Sequence, residues 1–465
     1  PDIKAALRHM SAEGVAYVGL VVDVSGAHRT VAVREEDWPL QACQVREDGD
    51  VFINTVGTFG VSSAAYWWGR LAAAIHRSGL AVVSAKWALW ALLFADDWGL
   101  MARQGHHEKA LLGFVWWLTV LRVPLSWLKV KGGQKFAWVG YELDLNGWSL
   151  GIAASRADWA VRWMGRTLTA GRIDPAELRE ALGRLVFVYG ALQWDKPFLA
   201  PLFTFLKLHK PGRERRLPLY AKIVLTWLME RLKERRAHPL QTRRTIERAI
   251  LRVDAKAEGL TIAVGGWSPF YDHRGQVVVS KSKWFSVALS EETAPWAYVK
   301  GTPARAISTL ELLATTLGLV VLTPEKLAAP GAAGTVTVTG FTDSLVSSSV
   351  VSRGLTTSFP LCVIAMELAA QLERRGAELF LEWAPRATNK EADALADGRF
   401  GDFDPALRVP VDFARLRWLV MDRLLLAGAQ LHKEMERSSA ERPVEEGRKQ
   451  GPRRKDEKLR VKDPW

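Results

Sequence analysis

The sequence predicts a multidomain protein of mixed α+β and α/β architecture, and three observations predict it. Its 465 residues, 48% of them hydrophobic, exceed what one core accommodates, so two to four domains are expected. β-branched runs that end in acids alternate with helical runs at both ends of the chain, the pattern of strands and helices layered together. Between them lies a strongly basic stretch, 207–252.

Each element follows in order. VAYVGLVVDV (15–24) reads as a buried strand with a carboxylate at its end, and LWALLFA as a second strand that ends at Asp96 and Asp97. Between them, SSAAYWWGRLAAAIHRSG (62–79) has helical spacing and closes at Gly79. A hairpin-like stretch covers 136–150. Residues 155–206 turn helical, with Asp-Pro-Ala-Glu at 174–177 as a helix start. From 251 a hairpin (LRVDAKAEGLTIAVGGW, then QVVVSKSKWFSVAL) leads to a helix (ISTLELLATTLGLVVL) and a strand ending in an acid (TVTVTGFTDS). A helix (LCVIAMELAAQLERRG), a strand (ELFLEW) and a final helix (NKEADALADG) complete a βαβ-rich α/β region. From 437 the chain is polar and charged, and disorder is expected. The expected domains are 1–154, 155–250, 251–402 and a C-terminal helix with charged tail, 403–465.

The formal charge of +13 points to a polyanionic partner, with nucleic acid first and an acidic membrane surface second. Two cysteines, Cys43 and Cys362, exclude a disulfide framework and a structural zinc site, and fit a reducing intracellular compartment. Uninterrupted apolar runs such as WALWALLFA stay well below the ~20 residues that span a bilayer, so no transmembrane helix is expected.

Two acidic constellations carry the chemistry. Asp23, Asp96 and Asp97 stand at strand ends, where neighbouring strands bring distant residues together. An oxygen-only carboxylate site suits Mg²⁺, and two such ions can activate a 3′-hydroxyl and stabilise a leaving pyrophosphate. Read alone, two aspartates between apolar runs are more simply a helix cap or a solvated turn. Asp254, Glu311, Asp343 and Asp393 form the second set, on a strand, a helix, a strand and a helix. Taken singly, Glu311 reads as a helix-surface acid and Asp393 as a solvated one. Together, four carboxylates around two Mg²⁺ can activate water against a phosphodiester.

The segments DVSGAHRTVAV (23–33), FGVSSA (59–64), FADD (94–97), LSWLKV (125–130) and WVGYELD (138–144) resemble, in order and spacing, the palm motifs of reverse transcriptases. ELREALGRLVFVYGALQWDKPFLAPLF (177–203) is similar to the thumb region of gypsy-like and DIRS-like retrotransposons, and FGVSSA in place of a Gln-Gly form is closer to the DIRS-like group. The resemblance implies a reverse-transcriptase palm with a helical thumb and connection, in an N-terminally truncated fragment whose fingers are largely missing. It implies Asp23 and Asp96 as principal metal ligands with Asp97 beside them. His28 falls where an aromatic residue usually excludes the ribose 2′-hydroxyl, and Gly60, beside Phe59, would let the backbone approach the template-primer or nucleotide. Phe59 and Trp138 are otherwise simply core residues. Lys129 would protonate the pyrophosphate, or else be a solvated surface lysine.

VDAKAEG, STLELLA, FTDS and NKEADALA resemble the four acidic motifs of the RNase H superfamily, including the spacing from Asn389 to Asp393. No histidine stands in WAPRAT (383–388), where several RNases H carry a mobile one. The implied activities are RNA-directed DNA synthesis and cleavage of the RNA strand of a hybrid. Each would use two Mg²⁺ (or Mn²⁺), with an RNA template, a DNA primer, an RNA–DNA hybrid and dNTPs as partners. With the fingers missing, hybrid cleavage is expected to be easier to detect than polymerisation. The basic stretch, with Arg235, Arg236, Arg243 and Arg244, reads as a template-primer track or as a solvated helical face. Two rival readings stand: an inactive or domesticated element that only binds nucleic acid, and an RNase H-superfamily nuclease with a structural polymerase half.

Overall fold

The computed structural model describes residues 2–58, 61–240, 249–299, 301–327 and 335–440. They form two compact units, 2–153 with 239–240, and 154–238 with 249–440.

In the first unit, helix α1 (Asp2–Glu13) leads into β1 (Tyr17–Asp23), and α2 (Ser62–Ser84) into the hairpin of β2 (Leu89–Phe94) and β3 (Asp97–Arg103). Helix α3 (His107–Val120) and β4 (Lys131–Gly133) follow, and an antiparallel meander, β5 (Lys135–Trp138), β6 (Tyr141–Asp144) and β7 (Ser149–Ile152), ends the unit. The first sheet has the order β2-β3-β1-β4, with β1 antiparallel to both neighbours. Val22, Trp98, Leu100 and Ala102 from its strands pack against Trp68 and Ala72 of α2 and Phe114 and Leu118 of α3. This core explains the tolerance of long apolar strands: one sheet face is covered by the two helices, most completely over β1 and β3.

Two local expectations change. Helix α2 does not close at Gly79 but runs on to Ser84. A Cβ at residue 79 would stand 2.7 Å from the Phe114 ring, so this glycine is a notch that lets α2 and α3 approach. The aspartate pair does not simply end a strand either. Ala95 and Asp96 form the hairpin turn, and Asp97 opens the return strand opposite Phe94.

In the second unit, α4 (Ala154–Ala170), α5 (Pro175–Ala191), α6 (Ala200–Leu208) and α7 (Leu219–Glu234) form a helical portion. Asp174 caps α5, its Oδ1 accepting from Ala176 N at 2.7 Å, with Pro175 at the first helical position. Five strands follow: β8 (Ala249–Glu258), β9 (Thr261–Ser268), β10 (Lys283–Leu289), β11 (Val336–Thr342) and β12 (Ala377–Trp383). Their order is β10-β9-β8-β11-β12; the first three are antiparallel, while β8-β11-β12 run parallel.

Helices α8 (Ile307–Leu322), α9 (Leu345–Arg353), α10 (Leu361–Arg375), α11 (Lys390–Ala396) and α12 (Met421–Ala440) complete the unit. Residues 303–322 are long and apolar enough, by composition, to cross a membrane, a reading not expected from the runs alone. In the structure every residue from Thr309 to Leu319 is buried and the helix packs on β8 and α10, the setting of a core helix. The C-terminal helix continues through Ala440, past the expected start of disorder at 437, and 441–465 lie outside the described residues.

Candidate active sites

The first cluster is built by strand register. β1 and β3 pair so that Asp23 stands directly opposite Asp97, one step beyond Val22 opposite Trp98. Trp98 is fully buried and anchors that register in the core. The turn is pinned from outside, because Ala95 O accepts from Trp68 Nε1 at 3.1 Å and Asp96 O accepts from Val24 N at 3.0 Å. Ala95 itself takes φ 55°, a left-handed conformation unusual for a residue with a Cβ. As a result one oxygen from each of Asp23, Asp96 and Asp97 lies within 4.8 Å of the others.

Electrostatics at this cluster are partly neutralised by the chain itself. Lys129 Nζ donates to Asp23 Oδ2 at 2.8 Å while remaining 68% exposed. Burial pulls the Asp23 carboxyl up, but hydrogen bonds from Lys129, Ser126 and Asp97 outweigh it and hold the group below its usual range. Asp97 moves the other way. Burial, then the hydrogen bond and charge of Asp23, then the charge of Asp96 push it up to about 6. His28 is half-buried in a short turn, Ala27–Thr30, and Trp138 is a core residue. Phe59 and Gly60 lie outside the described residues.

The second cluster is built by the junction of antiparallel and parallel strands. β8 and β11 are in parallel register with Arg252 beside Phe341, so two residues further on Asp254 comes alongside Asp343. Glu311 reaches them from α8, which packs on β8. One oxygen from each of Asp254, Glu311 and Asp343 lies within 4.8 Å of the others. Asp393 is placed differently: Arg386 Nε donates to its Oδ1 at 2.9 Å, and Arg399 Nη2 approaches Oδ2 at 3.4 Å. Helix α11, which carries it, lies almost backbone to backbone on β9, since a Cβ at Gly265 would stand 2.7 Å from Ala396 N. Buried Asn389, at the head of α11, donates to Val253 O at 3.0 Å and so ties the helix to the strand of Asp254.

This cluster is the drier one. Asp254 and Glu311 are 6% and 8% exposed. Burial, then the charges of Asp343 and Asp393, push Asp254 up to about 7 against the pull of Arg386. Burial, then Asp254 and Asp343, push Glu311 up to about 9. Glu311 Oε2 is buried with no hydrogen-bond partner. Both donor sets are carboxylates only, which suits a hard divalent cation, and the orphaned oxygen and the raised acids show charge that the protein leaves unmatched. The fit is good at both clusters.

No protein-family model and no curated protein matches the sequence. Among solved structures the chain is similar to a foamy viral protease-reverse transcriptase in complex with an RNA/DNA hybrid, at 13% identity and a TM-score of 0.41, over 78% of this chain and 44% of that one. It is similar also to a foamy viral protease-reverse transcriptase dRH in complex with double-stranded DNA, at 13% identity and 0.41, over 79% and 57%. The chain thus spans about half the length of these proteins.

Four residues of the two sites carry no signal in the sequence. Ser126 holds Asp23 from the loop before Lys129, and Ala95 shapes the turn. Arg386 and Arg399 are ordinary surface arginines until the fold sets them on Asp393. In the basic stretch, Arg235 meets Glu373 and stacks on Trp194, with its guanidinium 5.2 Å from the ring centre. Arg236 Nη2 donates to Asp158 Oδ1 at 2.8 Å. Both are matched within the protein, and Arg243 and Arg244 lie outside the described residues.

Proposed function

We propose that the chain is an RNA-directed DNA polymerase of retrotransposon type that also hydrolyses the RNA strand of RNA–DNA hybrids. In this reading 1–154 is the palm, 155–250 the thumb and connection, 251–402 an RNase H-like domain and 403–465 the C-terminal helix and tail. The observation that carries it is the pair of oxygen-only carboxylate clusters, each in its own compact unit and each assembled from residues far apart in sequence. One such cluster is an ordinary acidic feature; two, each built around strand ends and each holding a raised acid, suit two phosphoryl-transfer centres.

Bound Mg²⁺ would supply Lewis-acid stabilisation of the phosphoryl oxygens at each centre. The chain's own groups prepare the sites. At the first, Asp23, Asp96 and Asp97 would hold the metal, and the exposed Lys129 ammonium, kept at Asp23 Oδ2, stands ready to give its proton or charge to a departing polyphosphate. At the second, Asp254, Glu311 and Asp343 would hold metal, and Asp393 would join once Arg386 and Arg399 turn toward a phosphodiester. The partners of this reading are an RNA template, a DNA primer, the hybrid and dNTPs.

The test measures primer extension and hybrid cleavage on one purified chain, with Mg²⁺ and with excess chelator. Two metal-dependent activities are expected. Binding of the hybrid with neither activity would instead favour a nucleic-acid-binding remnant.

A further inference from the structure

Two groups of cations in the helical portion of the second unit differ in what they touch. Arg231 Nε donates to Asp195 Oδ1 at 2.7 Å and its guanidinium also meets Glu373, which Arg235 shares, while Arg236 is held by Asp158. These charges are already matched, and Arg231 and Arg235 lie in a framework of tryptophans as well. The second set gathers at a two-residue ribbon, where Arg172–Ile173 pairs with Arg215–Arg216.

The register of that ribbon sets Arg172 directly opposite Arg216. Like charges opposed on paired strands repel and weaken the pair. A third cation is drawn into the same place, since a Cβ at Gly171 would stand 3.9 Å from Lys222 Nζ. Arg216 and Lys222 also line, with His209, Gln430 and Phe205, a cavity of about 490 Å³. Among the described residues, Arg172, Arg216 and Lys222 have no carboxylate partner, nor has Arg213, two residues before the ribbon in sequence. Glu214 is the single acid in 207–222, against six lysines and arginines there.

Arg231, Arg235 and Arg236 are matched by acids, whereas Arg216 and Lys222 line an open cavity with Arg172 paired across the ribbon from Arg216. An anion resolves that repulsion. We propose that the Arg172–Arg216–Lys222 cluster binds the phosphate backbone of nucleic acid, and that this ribbon, rather than Arg235 and Arg236, is the phosphate contact of the basic stretch. The proposal rests on the reading of the chain as a nucleic-acid enzyme. Charge dominates the cluster, so binding there is expected to be independent of sequence and steep in salt.

The test replaces the three together, Arg172→Gln with Arg216→Gln and Lys222→Gln, in the full chain. Binding of a fluorescent RNA–DNA hybrid is then followed by anisotropy across a salt series. Each lost phosphate contact removes about one unit from the log-log salt slope, so a slope shallower by about two to three units is expected, with affinity at low salt down about 10- to 100-fold. The melting temperature should hold or rise, because a repulsive cross-strand pair has been removed. Arg235→Gln is the companion variant: it should lower the melting temperature and move the slope little. A wild-type slope in the folded triple variant overturns the proposal while leaving hybrid binding and cleavage, and so the functional reading, intact. Absence of hybrid binding by the unaltered chain, together with binding to phosphatidylserine vesicles, overturns both.

Discussion

The two carboxylate clusters have the same donor chemistry but opposite ways of living with their charge. At the hairpin of the first unit, Lys129 stands on Asp23 and the acids Asp96 and Asp97 are only half-buried, so water and one ammonium share the load. In the second unit Asp254 and Glu311 are buried, Arg386 and Arg399 are engaged with Asp393, and Glu311 keeps an oxygen with no partner. Both sites raise an acid, Asp97 to about 6 at the first and Asp254 and Glu311 to about 7 and about 9 at the second, so the second carries the greater unmet demand for a cation. The contrast teaches that proximity of acids does not fix their need for metal, whereas burial and local counter-charge do.

The largest expected effect breaks the clusters apart. Asp96→Asn should reduce primer extension by at least about 10³-fold and leave hybrid cleavage within a few-fold, and Asp343→Asn should do the reverse. Activities of the two variants, measured beside their melting curves, decide it. Loss of both activities from one folded variant would end the two-centre comparison.

The next effect sharpens the contrast through pH. Unfolded carboxylates ionise near 4, whereas Asp254 is pushed up to about 7 and Glu311 up to about 9 in the fold. Between those values the native state binds more protons than the unfolded chain. Stability from these groups is therefore complete below about pH 4 and is lost as pH rises through about 7 and then about 9. Mg²⁺ binds the ionised acids, so its stabilisation of the second unit should grow from pH 6 to pH 9. At a hundredfold excess over its dissociation constant the gain is roughly 5 °C at the alkaline end. The first unit, whose highest acid is Asp97 at about 6, should respond almost equally at pH 7 and pH 9. Calorimetry with and without Mg²⁺ reads both. Glu311→Gln should stabilise the metal-free second unit at pH 9 and abolish most of its response to Mg²⁺; an unchanged response would show that Glu311 is no ligand.

Much of this architecture is legible in local pattern, and the rest fails for identifiable reasons. β-branched runs ending in Asp23 and Asp343 announce strands that deliver a carboxylate to an edge of the core, and Asp174-Pro175 announces the start of α5. Composition cannot show that Gly79 is a notch for Phe114 rather than a helix stop, because the decisive atom is 35 residues away in sequence. The aspartate pair reads as a strand end because nothing in Ala95 signals a turn; tight hairpins normally use Gly or Asn there. Arginines are the least legible class. Arg235 and Arg236 look like a track in sequence and are matched in space, whereas Arg172 lies outside the basic stretch and reaches it only through a two-residue ribbon.

The smallest effect concerns that turn. Ala95 holds φ 55°, and a left-handed residue with a Cβ is less stable there by about 1–2 kcal/mol than glycine would be on steric grounds. Glycine gives back about 0.5–1 kcal/mol through the extra freedom of the unfolded chain. Ala95→Gly should thus stabilise the first unit by about 0.5–1 kcal/mol, seen as a small rise in its melting transition. The same substitution loosens the turn, in which Ala95 O accepts from Trp68 and Asp96 O from Val24. If the first cluster depends on turn geometry as the second depends on burial, primer extension should fall several-fold while hybrid cleavage stays put. Higher stability with full extension would show instead that strand pairing alone, through Asp23 opposite Asp97, positions the first site.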